Sequence, residues 1–563
     1  MKKIGVFVCW CGRNIGGIVD VPQVVEAMKD YPGVAVAKEY KYMCSDPGQD
    51  LIRESIEECQ LDGVVVAACS PNMHEATFRT ASASAGLNPY QCEMANIREQ
   101  CSWVHEDEPE RATEKAIELV RTIVEKVRED RPLEPITFEV QRSVLVVGGG
   151  VSGLEVSRNV ALSGYPVVLV ERSQELGGRV ASLSSTYMSE DPAYRMVEEM
   201  RDEVTQLDQV EVYTSSQVSQ VSGYVGNFTV TIETPKGEVE KKVGAVVLAP
   251  GFSTLDLSAL PEYGGGHLPD VVDALTFERM LAEGHLTRPS DGRPVEDVAF
   301  VKCAGSRDTE RGVPYCSRVC CTYTAKQARH FLNQRPEGQA QVLYMDIRSA
   351  GKGHEEYVQE GIDDQGIVYL RGRPSRIYQE GERVRVETVD TLASRPLVLD
   401  VDLVVLATAM LPAEGARDLA RLFKVGTDAH GFYSEAHPKL QPVESLTQGV
   451  YLAGAAQAPR DIPDSISQAG AVASKVVGLF SRDLLEHSPT VVEVDPELCS
   501  ACGLCVEFCP YEARSKNPVL KAAEVNAVLC QGCGGCQAVC PSGATQHVNS
   551  TRRQIMSMLD SLW

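Results

Sequence analysis

The sequence predicts a multidomain α/β protein, and three observations carry that expectation. Short apolar segments alternate with helical stretches over most of the chain, a glycine-rich turn stands between an apolar strand and a helix at Gly148–Gly153, and one cysteine spacing occurs twice near the C-terminus. With 563 residues the chain exceeds what one hydrophobic core usually organises. Domains are expected over residues 1–132, 140–487 and 490–563, separated by Arg131-Pro132-Leu133-Glu134-Pro135 and by the stretch around Pro489, since proline favours extended linkers.

Charge and composition remove some classes of partner. A formal net charge of -24 repels phosphate backbones and anionic head groups, so neither nucleic acid nor a membrane surface is expected. No apolar run approaches the roughly 20 residues of a membrane helix. Met1-Lys2-Lys3-Ile4 leads into a strand rather than a signal peptide, and the expected compartment is the cytoplasm. There the 19 cysteines, which fall in tight groups, point to metal rather than to disulfides.

The N-terminal region reads as strands at Ile4–Val8, Val34–Tyr42 and Gly63–Ala68, closed by a helix from Arg111 in which Ala112, Ala116, Leu119, Val120, Ile123, Val124 and Val127 keep helical spacing. Cys9 and Cys11 end the first strand, Cys44 the second and Cys69 the third. Ligands gather at the carboxyl ends of strands in open α/β sheets, so these thiols are candidates for a [4Fe–4S] site. Cys101 is a rival ligand and His74 an outside one, while scattered core cysteines are the plain alternative. Cys59 and Cys92 read as small buried apolar side chains.

The middle region opens with the strand Val144–Val147 and a G-x-G-x-x-G turn in which Gly148, Gly150 and Gly153 suit the tight turn, the pyrophosphate approach and the helix–strand contact. A second strand ends at Glu171, placed to bind a ribose hydroxyl. Gly177-Gly178-Arg179, Val246–Gly251 and Gly449–Gly454 before a helix from Ser465 resemble the two-domain flavoprotein reductases of the thioredoxin reductase type, which makes FAD the expected cofactor. The candidate contacts are Gly148, Gly150, Gly153, Glu171, Arg172, Gly178, Arg179, Pro250, Gly251, Gly454, Asp461 and Ile462. A second dinucleotide fold, over about 295–410, keeps strands at Val298–Lys302, Val342–Asp346 and Val401–Leu406 but has no glycine turn. Cys303, Cys316, Cys320 and Cys321 stand in its place and suggest a [4Fe–4S] site; a strained Cys320–Cys321 redox disulfide is the alternative. Oxidation of NAD(P)H is then not expected. Lys326, on a helix after Cys321, is a candidate to reach the flavin, or else a solvated surface lysine.

The tail repeats one pattern: Cys499-x2-Cys502-x2-Cys505-x3-Cys509-Pro510 and Cys530-x2-Cys533-x2-Cys536-x3-Cys540-Pro541. This is the bacterial ferredoxin spacing, in which the fourth cysteine of each run serves the other cluster. Cys499, Cys502, Cys505 and Cys540 should hold one [4Fe–4S] cluster, and Cys530, Cys533, Cys536 and Cys509 the second. A zinc ribbon would leave half of these thiols unused.

Several stretches resemble the A-type subunits of heterodisulfide reductase, which are iron–sulfur flavoproteins: Cys9-Trp10-Cys11-Gly12, Tyr42-Met43-Cys44-Ser45, Ala68-Cys69-Ser70-Pro71, the run from Asn96 to His105, Tyr315-Cys316-Ser317-Arg318-Val319-Cys320-Cys321, and Pro459-Arg460-Asp461-Ile462-Pro463-Asp464. The resemblance implies flavin-based electron bifurcation with FAD and several [4Fe–4S] clusters, four by the ligand groups above. It also implies B/C-type subunits that cleave the disulfide, ferredoxin as an acceptor, a donor module of hydrogenase, formate dehydrogenase or NADH-oxidase type, and a homodimer within the larger complex. Longer family members carry an additional ferredoxin module in the flavin region, whereas this sequence has one eight-cysteine run. A non-bifurcating relay, or an NAD(P)H oxidoreductase like the small subunit of glutamate synthase, are the alternatives.

Overall fold

The computed structural model describes residues 2–562. Two compact units emerge: one spans Glu139–Leu485, and the other joins the chain up to Phe138 with the chain from Glu486 onward.

The Glu139–Leu485 unit contains two sheets of the same design. The first orders Val450–Leu452, Ala245–Leu248, Val144–Val147, Val167–Val170 and Val210–Tyr213, all parallel. Its central strands are runs of valine, leucine and alanine buried on both faces, as parallel sheets covered by helices require. Helix Val151–Leu162 packs on one side, against Ile462–Phe480. The second sheet orders Val271–Asp273, Leu403–Thr408, Asp297–Ala304, Gln339–Tyr344 and Val368–Arg371, again parallel. Each is accompanied by a three-stranded antiparallel meander, Gln217–Val243 and Arg376–Val401. This is the two-dinucleotide-fold core that the glycine turn and the apolar strands predict. The meanders have no counterpart among the sequence expectations, because alternation such as that of Asn227–Thr234 marks a strand without telling its partners.

In the other unit, a four-stranded parallel sheet orders Val34–Tyr40, Ile4–Cys9, Gly63–Ala68 and Cys92–Asn96. The chain places its second strand on one side of the first and its third on the other, which creates a switch point at the carboxyl edge. Helix Pro109–Glu129 closes the sheet with Ala112, Ala116, Val120, Val124 and Val127 fully buried. The C-terminal segment consists of two short hairpins and two one-turn helices, Leu504–Glu507 and Gly535–Ala538. Its last helix, Arg552–Asp560, lies on Pro109–Glu129 within the same unit. Asn549 clamps Arg131 there, its Oδ1 accepting the Arg131 N–H and its Nδ2 donating to the Arg131 carbonyl, each at 3.0 Å. Among the described residues no helix is long and apolar enough to cross a membrane.

Candidate functional site

The strand Val144–Val147 delivers the chain to Gly148, whose φ of 109° belongs to the left-handed region. A Cβ on Gly148 would lie 2.2 Å from the Ala249 carbonyl oxygen, and one on Gly153 only 1.8 Å from the Gly148 carbonyl oxygen. Gly150 differs: a Cβ there would meet nothing nearer than the Gly178 Cα, at 3.9 Å. The first and third glycines are therefore demanded by the protein itself, while the second leaves room beside the helix N-terminus for something else. That room is part of a cavity of about 840 Å³. It is lined by Gly148, Gly150, Glu171, Arg172, Gly178, Arg179, Pro250, Gly251, Asp461 and Ile462. Gly153 and Gly454 stand behind the wall, Gly454 between Ala453 and Ala455, which do line it.

The polar groups of this cavity are held in position. Glu171 accepts the Gly149 N–H at 2.6 Å and the Ser173 N–H at 2.7 Å. Arg179 donates through Nε to the Phe252 carbonyl at 2.9 Å and stacks over the Phe252 ring, and burial draws its pKa down. Asp461 caps helix Ile462–Phe480 by accepting the Asp464 N–H at 2.9 Å. The buried Nε of Arg460 has no hydrogen-bond partner among the described residues, and Arg460 lines the same cavity. A glycine-lined cradle at a helix N-terminus and a carboxylate at the end of the second strand are what a dinucleotide such as FAD requires, and the unpaired Arg460 N–H leaves a donor for an anionic ligand, so the residues present fit it.

A second cavity of about 470 Å³ shares Arg179, Val180, Phe252, Arg460, Asp461 and Ile462 with the first. Lys326 lines it. Helix Cys320–Gln334 places this lysine inside the protein, 2% exposed, where Nζ donates to Glu278 and to the Ser185 carbonyl, both at 2.8 Å. The reading of Lys326 as a solvated surface lysine is thereby corrected: the helix face that carries it packs inward. Burial draws the ammonium pKa down, and Lys326 in turn holds the Glu278 carboxyl below its usual range against the upward pull of burial.

In the second dinucleotide fold, Cys303 lies near the end of strand Asp297–Ala304, and Cys320 and Cys321 open the following helix. Cys303 and Cys320 share one buried cluster with Ala407. The Arg318 N–H donates to the Cys316 sulfur and the Arg348 N–H to the Cys321 sulfur, each at 3.3 Å. A hydrogen bond from the Cys320 thiol, with the nearby Lys302 ammonium and the Arg348 N–H, lowers the Cys321 pKa. Cys303, Cys320 and Cys321 stand at the strand end and helix start where a pyrophosphate would otherwise dock, and Cys316 lies in the loop between. None of the 19 cysteines is disulfide-bonded, so Cys320 and Cys321 stand as two thiols.

In the N-terminal sheet, the Cys9 sulfur accepts N–H bonds from Cys11 at 3.3 Å and Met43 at 3.4 Å. Burial pushes the Cys69 thiol up to about 11, with Arg98 pulling against it and Cys11, Cys9 and Cys44 adding to it, so these four sulfurs share one neighbourhood. Cys101 is elsewhere: it is fully buried and donates its S–H to the Ala112 carbonyl at 2.8 Å. His74 packs edge-on against Phe78. Cys92 is buried in the sheet core and Cys59 half-buried beside it.

The tail cysteines form two groups around two small cavities. One is bounded by Cys499, Cys502, Cys505 and Cys540, the other by Cys509, Cys530, Cys533 and Cys536. The fourth cysteine of each run has crossed to the other group. Among the described residues no three ligand side chains converge tightly enough for a single metal ion. A cubane asks for wider spacing, since each thiolate binds its own iron. Against burial, the N–H groups of Thr545 and Ala544 and the Ser542 hydroxyl bring the Cys540 thiol down to about 7.

Two family models match: a pyridine nucleotide-disulphide oxidoreductase over residues 142–283 and a 4Fe-4S dicluster domain over 491–541. An A-type iron–sulfur subunit of the CoB–CoM heterodisulfide reductase of Methanopyrus kandleri is 39% identical over 594 positions, covering 91% of this chain and 90% of that protein. The chain belongs to the family of heterodisulfide reductase A-type subunits. Another family member, the A-type subunit of the H2:CoB–CoM heterodisulfide, ferredoxin reductase of Methanothermobacter thermautotrophicus, is 37% identical over 91% of this chain and 90% of its own length. Among solved structures, T. acidophilum thioredoxin reductase superposes with a TM-score of 0.42 at 17% identity, over 60% of this chain and 99% of its own. As a member of the heterodisulfide reductase family, the protein is an oxidoreductase of flavin and iron–sulfur type. The 594-position alignment is longer than the 563-residue chain, so the M. kandleri protein carries residues that face a gap here.

Sequence reading missed Glu278, Lys302, Arg98, Arg460 and Arg514, all of which touch or face the groups above. None belongs to a spacing rule. The available signal was the family resemblance, since Arg98 lies within the stretch from Asn96 to His105 and Arg460 within Pro459–Asp464.

Proposed function

We propose that this chain distributes electrons in a heterodisulfide-reductase-type complex: it takes pairs from a donor module and passes them singly to ferredoxin and to a disulfide-reducing B/C-type subunit. The observation that carries the proposal is the contrast within one unit between an intact nucleotide cradle at Gly148–Gly153 and a second fold in which Cys303 ends the strand and Cys320 and Cys321 open the helix, with Cys316 in the loop that joins them. A chain so built has no place for nicotinamide in that fold and has thiolates where electrons must leave one at a time.

In this proposal Gly150 and the helix N-terminus behind it hold the FAD pyrophosphate, Glu171 takes its ribose, and Arg179, Arg460 and Asp461 form the wall beside it. When bound it supplies exchange between two-electron and one-electron transfer. Lys326 holds a positive charge at the wall of the adjoining cavity, and Glu278, Ser184 and Gln327 fix the pair so that the charge stays where it is. Four [4Fe–4S] clusters are assigned: to Cys9, Cys11, Cys44 and Cys69; to Cys303, Cys316, Cys320 and Cys321; and to the two tail groups. The donor is a hydrogenase, formate dehydrogenase or NADH-oxidase module, the assembly contains a homodimer of this chain, and it works in the cytoplasm.

The test is iron, sulfide and flavin analysis of anaerobically purified protein, followed by photoreduction watched by absorbance and EPR. About sixteen irons and one FAD per chain are expected. Rapid bleaching of the flavin by NADPH refutes the assignment of the second fold. A plain relay is the second reading, favoured by the alignment gap opposite the M. kandleri protein. A flavin radical that persists on photoreduction would select it over bifurcation.

A further inference from the structure

The dicluster segment contains a buried cation that no spacing rule requires. Arg514 begins the strand Arg514–Asn517, immediately after the first cysteine run, and is 5% exposed. Its Nη2 donates to the Cys505 sulfur at 3.4 Å and to the Thr545 hydroxyl at 3.1 Å. Its Nε and Nη1 are buried and have no hydrogen-bond partner among the described residues. Removing a guanidinium from water is unfavourable unless an anion answers it. A guanidinium does not shed its proton in a protein, so deprotonation offers no escape.

The position of the side chain indicates which anions answer it. Cys505 bounds one tail cavity, whereas Arg514 itself lines the other, together with Cys509, Cys530, Cys533 and Cys536. Iron–sulfur clusters bound by four thiolates carry net negative charge that grows with each electron, and their sulfurs accept hydrogen bonds.

Resting on the dicluster reading of the tail, we propose that Arg514 is a positioning residue that sets the reduction potentials of both tail clusters: its guanidinium lies between them, donating to the Cys505 thiolate on one side and presenting Nε–H and Nη1–H to cluster sulfur on the other. A fixed positive charge shared by two sites stabilises the reduced state of each, so both accept an electron more readily than they would beside an apolar residue. The electron enters from an external one-electron reductant or a neighbouring centre, and no bond is made or broken.

The experiment uses the full-length chain, purified anaerobically, as wild type, Arg514→Met and Arg514→Lys. Each is titrated with dithionite and mediators, and the spin-coupled EPR signal of the paired clusters is followed. For Arg514→Met, the ratio of reduced to oxidised pair at a fixed potential should fall at least tenfold, which is a midpoint shift of about 59 mV for a one-electron couple. Arg514→Lys keeps the charge and should lose less than half as much. Unchanged potentials in Arg514→Met, or equal shifts in both variants, overturn the proposal. So does loss of iron from both, because Arg514 would then be needed for assembly rather than for potential. If the wild type itself lacks a spin-coupled signal, the dicluster reading falls, a result separate from any effect of the variants.

Discussion

Replacing Gly150 with alanine separates what the fold needs from what the nucleotide needs. Gly150 has φ −78° and ψ −178°, extended backbone open to any residue, and the added Cβ meets no atom within 3.9 Å. It stands at the N-cap of helix Val151–Leu162, where the exchange costs about 1 kcal/mol at most. The melting temperature of the apoprotein should therefore move by no more than about 4 °C. The methyl group would, however, occupy the approach to the helix N-terminus, where a pyrophosphate oxygen accepts backbone N–H bonds. Losing two charge-assisted hydrogen bonds at about 1.5–3 kcal/mol each amounts to roughly 3–6 kcal/mol, or a hundredfold to ten-thousandfold weaker binding. Gly153→Ala gives the opposite control, because its Cβ would fall 1.8 Å from the Gly148 carbonyl oxygen and destabilise the unit whatever is bound. The assay is FAD titration of deflavinated protein by fluorescence quenching, paired with thermal unfolding of the same samples. Wild-type affinity in Gly150→Ala would refute the assignment of the cavity to a dinucleotide.

Other consequences follow from the buried groups. Lys326→Met strands the Glu278 carboxylate in the interior and should cost about 3 kcal/mol in urea unfolding, the low end of the range because Ser184 and Gln327 still donate to Glu278; the double variant Lys326→Met/Glu278→Gln should recover part of it. Cys69→Ala should lower the iron content by about four per chain, whereas Cys101→Ala, which removes a thiol bonded to the Ala112 carbonyl, should leave it unchanged. Asp130, buried where Gln554 and Lys126 meet it, has its pKa raised from 3.8 to about 7, chiefly by burial. A carboxyl with a raised folded-state pKa binds its proton more tightly folded than unfolded, so its contribution to stability is greatest below about pH 4 and declines as pH rises to about 7. Asp130→Asn should flatten that window, by at most about 4 kcal/mol, in unfolding measured across pH.

Much of the site is legible in the sequence, for physical reasons that particular residues make plain. Gly148, Gly150 and Gly153 are separated along the chain by the geometry of one turn, so the sequence alone carries the nucleotide cradle. The two tail runs are equally local: x2 and x3 spacings wrap a cubane from one short segment, and even the crossing of Cys509 and Cys540 follows from that spacing, as the two cavities they bound are consistent with. Only tertiary structure decided what lies between distant segments. That Cys44 joins Cys9 and Cys69 while Cys101 turns into the core depends on strand order and on the turn at Arg98–Ser102. That Lys326 faces Glu278, 48 positions away, depends on how two helices pack. Short-range spacing is written in the chain because covalent geometry enforces it; partners brought together by burial are not, because many sequences would fill the same interior and only the packed chain selects which polar group meets which.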